Sequence, residues 1–146
     1  MRKSRWFSPY AKPGKTNLKP AKARSGVYLI RRNFPTDEKP VILYIGMSQT
    51  DLYKTITRHF QKWEDDSQVR VTYPQTADYQ IRIIFCTPRQ AVKLEEALRA
   101  NYLPKDNPQP LPYDWEVTDG HTNVYTAFLD CDQITREDLE PYEAPF

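Results

Sequence analysis

The sequence predicts an α+β fold: a small antiparallel β-sheet flanked by helices, with its elements in the order β-β-α-β-α. Three observations carry that expectation. Two β-prone runs, residues 26–31 and 41–46, flank a polar, proline-containing stretch. Two later segments, starting near Leu52 and Ala91, repeat apolar residues at helical spacing. Between those segments Tyr79, Ile81, Ile83 and Phe85 alternate with other residues, as on one face of a strand.

Each element has a local cause. The run from Gly26 to Arg31 and the run from Val41 to Gly46 read as a hairpin joined by the turn-rich residues 33–40. Ser48, with Asp51 three residues on, is expected to cap the first helix. Leu52, Ile56, His59, Phe60 and Trp63 make its buried stripe, and Asp65, Asp66 and Ser67 close it. Val69 to Tyr73 carries a faint strand signal. Thr87 is expected to cap the second helix, with Pro88 in its first turn and Gln90 at the reciprocal capping position. Ala91, Leu94, Leu98 and Tyr102 form the apolar stripe of this helix, which Pro104 ends.

The chain divides into three stretches by composition. Residues 1–23 form a basic N-terminal arm, 24–108 the predicted domain, and 109–146 an acidic, proline-rich extension. The net charge of +2 conceals an asymmetry: residues 1–107 hold 20 Lys/Arg against 10 Asp/Glu, while the rest holds Arg136 against 9 acids. The halves therefore carry +10 and −8. The first 24 residues carry eight basic side chains and no acid, and a basic arm of this kind gains affinity for a polyanion, such as nucleic acid, by releasing counterions. The arm itself reads equally as a solvated leader or as a segment that orders on its partner. Trp6, Phe7 and Tyr10 within it could stack on bases or fold back onto the sheet. In the extension, residues 123–129 could add an edge strand and 133–139 a helix. The extension could equally be a solvated tail, a contact surface for a protein partner, or a competitor for the basic half.

A hydrophobic content of 39% and an aromatic content of 13% suit a folded chain of 146 residues. No run nears the roughly 18 apolar residues that a membrane span needs. Arg2, Lys3 and Arg5 have no apolar run behind them, so a secretory signal is not expected. Cys86 and Cys131 cannot build a disulfide framework. An intracellular setting, cytoplasmic or nucleoid-associated, is therefore the expectation. Cys86, Cys131, His59 and His121 lack the close ligand spacing of a zinc site.

One set of residues points to chemistry. Gly26-Val27-Tyr28 is followed, sixteen residues after Tyr28, by Tyr44-Ile45-Gly46, and the second helix carries Glu95 and Leu98, with Pro104 and Asn107 just beyond it. Over residues 24–108 this pattern resembles the GIY-YIG nuclease superfamily, whose second helix has a glutamate followed by proline nine residues later and asparagine twelve residues later. The resemblance implies a nuclease: a metal-dependent endonuclease, a hydrolase of phosphodiester bonds with one Mg²⁺ or Mn²⁺ ion held by Glu95. Tyr28 and Tyr44 would position or deprotonate the attacking water. Gly46 would admit the backbone close to the phosphate, and Asn107 would fix the turn beside the site. Helix geometry favours Glu95 over its neighbour. With Leu94 at zero, Ala91, Leu98 and Tyr102 fall at about 60°, 40° and 80°, Glu95 at about 100° and Glu96 at about 200°. Glu95 thus sits on the rim of the buried stripe.

The pattern is departed from at one position. The family carries a phosphate-holding arginine on the first helix, and Thr55 stands there in this chain. Arg58, one turn on, is the expected substitute in the catalytic set, with Lys54 beside it. Gly46, Lys54, His59, Lys62 and Asn107 are the further candidates for contacting nucleic acid. For His59, on the apolar stripe next to Phe60, a packed and hydrogen-bonded role competes with a functional one. Because Thr55 cannot supply a cationic fork, a nucleic-acid-binding module without turnover stands as an alternative, and the proline-rich acidic extension offers another, an interaction component of a larger assembly.

Overall fold

Gly26 opens the strand around which the rest of the sheet is built. The structure, a computed structural model, describes residues 6–32, 41–61, 71–102 and 104–107. In chain order these form β1 (Trp6–Phe7), β2 (Tyr10–Lys12), β3 (Lys15–Thr16), β4 (Gly26–Arg32), β5 (Val41–Ser48), α1 (Leu52–Thr57), β6 (Tyr79–Phe85) and α2 (Pro88–Tyr102). Short 3₁₀ turns occupy Lys19–Ala21 and Arg58–Phe60. The architecture is α+β. The main sheet has the order β1-β6-β4-β5 with every neighbouring pair antiparallel, and β2 and β3 form a small separate hairpin.

β4 lies between β6 and β5, and its first five residues are buried because both faces of the sheet are covered. On one face Val27, Leu29 and Ile45 pack against Ala91, Leu94, Leu98 and Tyr102 of α2. On the other, Tyr28, Ile30 and Ile83 pack against Leu52 and Ile56 of α1 and against Phe60. Alternation along β4 distributes these side chains, as a strand's period of two requires. Each fully buried leucine or isoleucine contributes on the order of 1.5–3 kcal/mol relative to exposure. Gly26 is needed because β4 and β6 approach closely there. A Cβ on it would collide with the backbone carbonyl of Ile84, and its φ of +158° is one that side-chain-bearing residues avoid.

A bulge breaks the β4–β5 ladder between Ile30 and Arg31, which pair with Tyr44 and Ile42. Leu43 is the extra residue, so Leu43 and Tyr44 both contribute to the α1 side of the sheet.

The segment set apart as a basic arm is largely built into the fold. Trp6 and Phe7 pair with Arg82 and Ile81 of β6, which is the fold-back arrangement. Tyr10, Leu18 and Ala21 are buried in the α1-side core, with the Tyr10 and Phe60 rings 5.4 Å apart. The β2–β3 hairpin turns through Gly14 at φ +80°, a left-handed conformation that glycine accepts without strain.

Three local expectations are corrected. Asp51, not Ser48, caps α1, accepting from the Lys54 N–H at 3.3 Å, while Ser48 Oγ accepts from the N–H groups of Thr50 and Asp51 just before it. The helix becomes 3₁₀ at Arg58–Phe60 rather than continuing as α-helix. Residues 71–73 are not a strand, because the Tyr73 N–H donates to His59 O at 2.6 Å instead of joining the sheet. The cap of α2 follows the expected reciprocal pattern. Thr87 Oγ1 accepts from the Gln90 N–H at 3.2 Å and Gln90 Oε1 accepts from the Thr87 N–H at 3.0 Å. Trp63, Lys62, Cys131, His121 and the extension after residue 107, with its expected strand and helix, lie outside the described residues. Among the described residues no helix is long and apolar enough to cross a membrane.

Candidate active site

Side chains from both faces of the sheet meet at the β5 edge. Tyr28, Tyr44, Ile45, Gly46, Met47, Thr55, Glu95, Arg99 and Asn107 line a cleft of about 280 Å³ there. Tyr28, Tyr44, Gly46, Glu95 and Asn107, scattered over the sequence, are thereby brought together. Lys54 and Arg58 are exposed on α1 and the following turn and do not line it.

The two tyrosines come from adjacent strands. Tyr28 of β4 sits directly across from Gly46 of β5, and the tyrosine rings stack with centroids 6.1 Å apart at 20°. This gives Gly46 a cause different from the expected close approach to phosphate. A Cβ on Gly46 would strike the Tyr28 hydroxyl and stand 2.5 Å from its Cζ, so the glycine makes room for the ring.

His59 closes the other side of Tyr28. Its Nδ1 lies 2.9 Å from the Val71 carbonyl oxygen and its Nε2 lies 2.7 Å from the Tyr28 hydroxyl. A carbonyl only accepts, so Nδ1 carries the proton, Nε2 is an acceptor, and Tyr28 donates to it. The ring also packs 4.5 Å from Tyr44 and 6.3 Å from Tyr73. His59 is therefore both packed and hydrogen-bonded, and its partner is one of the two tyrosines.

The electrostatics follow from burial. Desolvation, then Tyr44 and Glu95, holds the Tyr28 hydroxyl well above its ordinary pKa, against a smaller opposing pull from Arg58. Desolvation and Glu95 likewise raise Tyr44, with Arg99 opposing. Burial lowers His59 below its ordinary 6.5, partly offset by the bond to Val71. The site thus disfavours a phenolate and favours a neutral imidazole at pH 7. The Tyr28 hydroxyl therefore rests neutral and donates to the neutral His59 Nε2.

Glu95 projects from the middle of α2 into the cleft, whereas Glu96 is not among the lining residues. Glu95 Oε1 accepts from Arg99 Nη1 at 3.0 Å, one helical turn on, and both side chains are largely buried, at 16% and 14% exposed. Asn107 pairs with the β5 backbone in both directions. The Ile45 N–H donates to its Oδ1 at 3.0 Å, and its Nδ2 donates to Ile45 O at 2.8 Å. The chain from Lys105 to Asn107 so behaves as a substitute neighbour for the edge of β5, with the Asp106 N–H also donating to Leu43 O at 2.7 Å.

Among the described residues no three His, Cys, Asp or Glu side chains gather in one place. Glu95 is the one carboxylate among the described lining of the cleft. A single carboxylate would fit a hard divalent ion that keeps most of its waters, such as Mg²⁺, better than zinc.

Two features escaped the sequence. Arg99 was legible in principle, since i and i+4 positions share a helix face with Glu95. The Tyr28–His59 bond spans 31 residues and two elements, and no local signal announces it. Comparison of the chain with family models, with curated proteins and with solved structures finds no match in any of the three, so the site stands on its own geometry.

Proposed function

We propose that this chain is a metal-dependent endonuclease with a GIY-YIG-like fold, hydrolysing phosphodiester bonds of nucleic acid, DNA in the first instance. The observation that carries the reading is the convergence of Tyr28, Tyr44 and Glu95 on one cleft, with His59 hydrogen-bonded behind Tyr28. The exposed basic side chains Lys12, Lys15, Lys19, Lys22, Arg24, Lys54 and Arg58 suit the approach of a polyanion.

In this reading an attacking water lies against Tyr28. As the water oxygen bonds to phosphorus, Tyr28 accepts the water's proton and passes its own to His59 Nε2. The imidazole becomes cationic while Val71 O keeps its Nδ1 proton in place. Tyr44, stacked on Tyr28, bounds the nucleophile's position. The bond from phosphorus to the leaving oxygen breaks, and that oxygen takes a proton from solvent. Glu95 would hold one Mg²⁺ or Mn²⁺ ion, which supplies Lewis acidity to the phosphoryl group.

Supercoiled-plasmid nicking with Mg²⁺ or Mn²⁺ tests this. Wild type is expected to nick, Glu95→Ala to be inactive while still folded, and Tyr28→Phe to lose about 10²–10⁴-fold, the usual contribution of acid–base catalysis. Unchanged nicking by Glu95→Ala would sink the proposal. A second reading, a binding module without turnover, is favoured by the ion pair that occupies Glu95. Salt-dependent DNA binding with no product under any divalent ion would select it.

A further inference from the structure

Two exposed cations outside the cleft are held on aromatic rings. Lys22 Nζ lies 4.9 Å from the centre of the Tyr53 ring of α1, and the Arg24 guanidinium lies 3.6 Å from that of Phe85 at the end of β6. Both cations are exposed, while both rings are partly buried. Among the described residues neither cation makes an ion pair with a carboxylate. The backbone that carries them is pinned as well. The Lys22 N–H donates to Lys19 O at 3.1 Å, the Arg24 N–H donates to Ala21 O at 3.3 Å, and Arg24 O accepts from the Leu52 N–H at 2.9 Å. Ser25 then bonds to Cys86 in both directions, through its hydroxyl at 2.6 Å and its carbonyl at 3.3 Å. Ala23, between the two cations, has a φ of 57°, a left-handed conformation that a side-chain-bearing residue adopts at a cost.

A guanidinium laid over a ring keeps its N–H edge in water, and that edge meets a phosphate as a fork. The ring and the fixed backbone have already narrowed the side chain's freedom, so less ordering remains to be done when a phosphate arrives. Tyr53 projects about 160° round α1 from Thr55, which lines the cleft, so this pair of cations sits on the other flank of the helix. Arg24 precedes Tyr28 by four residues, which sets their Cα atoms no more than about 14 Å apart. One nucleic acid molecule can therefore reach both places. We infer that Lys22 and Arg24 form a second phosphate-gripping site, which holds the sugar-phosphate backbone of the nucleic acid that the cleft takes. The nearness of the cleft selects a nucleic acid over an acidic peptide as the ligand. This rests on the nucleic-acid reading of the cleft for its ligand class, but its test requires neither turnover nor a metal ion.

The test is a set of affinities in EDTA: wild type, Lys22→Gln, Arg24→Gln, Lys93→Gln and Phe85→Leu, each titrated with a fluorescein-labelled DNA duplex at several salt concentrations. Lys22→Gln and Arg24→Gln are each expected to flatten the logarithmic salt slope by about 0.9, one lost phosphate contact. Lys93→Gln removes the same charge from the exposed side of α2, which covers the opposite face of the sheet, and is expected to leave the slope as in wild type. Equal flattening by all three overturns the inference, since binding then responds only to net charge. Phe85→Leu keeps every charge and an apolar side chain against the α1-side core, and removes only the ring under Arg24. It is expected to weaken binding about 2–10-fold, the cost of ordering one side chain that is no longer held. Tyr53→Leu makes the same test for Lys22, so a Phe85→Leu protein that melts early does not end the matter. Wild-type affinity in a ring variant that melts like wild type overturns the inference.

A polyglutamate chain that binds as tightly as the duplex, and is weakened equally by Arg24→Gln, overturns the assignment to nucleic acid. A wild type that binds duplex without nicking plasmid under any divalent ion sinks the nuclease reading alone, and the salt slopes still decide the second site. A wild type that binds no DNA overturns both.

Discussion

Gly46→Ala isolates the contact that shapes the site. Its backbone has no left-handed φ, so alanine is acceptable to the strand itself. The added methyl meets the Tyr28 ring instead, with Cζ at 2.5 Å and Cε1 at 2.9 Å. That ring cannot simply swing away, being 2% exposed, stacked on Tyr44 and bonded to His59. Overpacking of this kind costs about 1–3 kcal/mol. Pushing the hydroxyl off His59 strands a buried acceptor and adds about 1 kcal/mol or more. A total of about 2–4 kcal/mol corresponds to a fall in Tm of roughly 8–16 °C, at about 4 °C per kcal/mol for a domain of this size. Thermal melts of a double-mutant cycle with Tyr28→Ala read the effect directly. With the ring gone, Gly46→Ala is expected to be neutral or to stabilise by about 0.5 kcal/mol, through the reduced entropy of the unfolded chain. Equal destabilisation in the presence and absence of the Tyr28 ring would refute the reasoning, as would a Gly46→Ala protein that melts with wild type.

His59 predicts a pH dependence. Its folded pKa lies below the ordinary 6.5, so between the two values the unfolded chain binds the extra proton. The associated stability is fully present above pH 6.5 and declines as pH falls below it. Melts between pH 7.5 and 5.5 should show a loss in wild type exceeding that in His59→Gln, and parallel curves would exclude the buried neutral imidazole. Asn107→Ala removes both bonds to Ile45 and should destabilise by about 1–3 kcal/mol. The exchange rate of the Ile45 amide hydrogen should rise with it, and an unchanged rate would show that Asn107 does not protect the β5 edge. Thr87→Ala removes half of the α2 capping box and should cost about 1 kcal/mol in chemical denaturation, with nicking retained.

The elements visible in the sequence were those whose causes are local. The β4–β5 hairpin announced itself by two β-prone runs around a turn-rich stretch, and α2 by Thr87, Pro88 and Gln90 at its start. β1 was hidden because a strand of two residues has no period, and its partner lies far along the chain in β6. α1 was read too long because Phe60 keeps the apolar spacing, although a 3₁₀ turn delivers it to the same core. Of the cleft lining, Tyr28, Tyr44 and Glu95 were named by the resemblance to the GIY-YIG pattern, with the angle of Glu95 on α2 favouring it over Glu96. The role of Gly46 depended on its cross-strand neighbour, Tyr28, and neither strand read by itself reveals that register. Arg58, one turn past Thr55, was the substitute read along the chain, whereas among the described residues Arg99 is the cation that lines the cleft.

The folded N-terminal segment changes what its lysines can do. Lys12 and Lys15 flank the tight hairpin turn, and Lys19 and Lys22 bracket the 3₁₀ turn whose Ala21 is buried in the core. Their backbone positions relative to the cleft are thus set before any partner arrives. A floating tail must surrender its freedom to each polyanion that it meets, and affinity falls by that loss. Charges anchored on a scaffold skip this step, and on the proposed reading they would act as a ruler, favouring a polyanion whose charges recur at matching intervals.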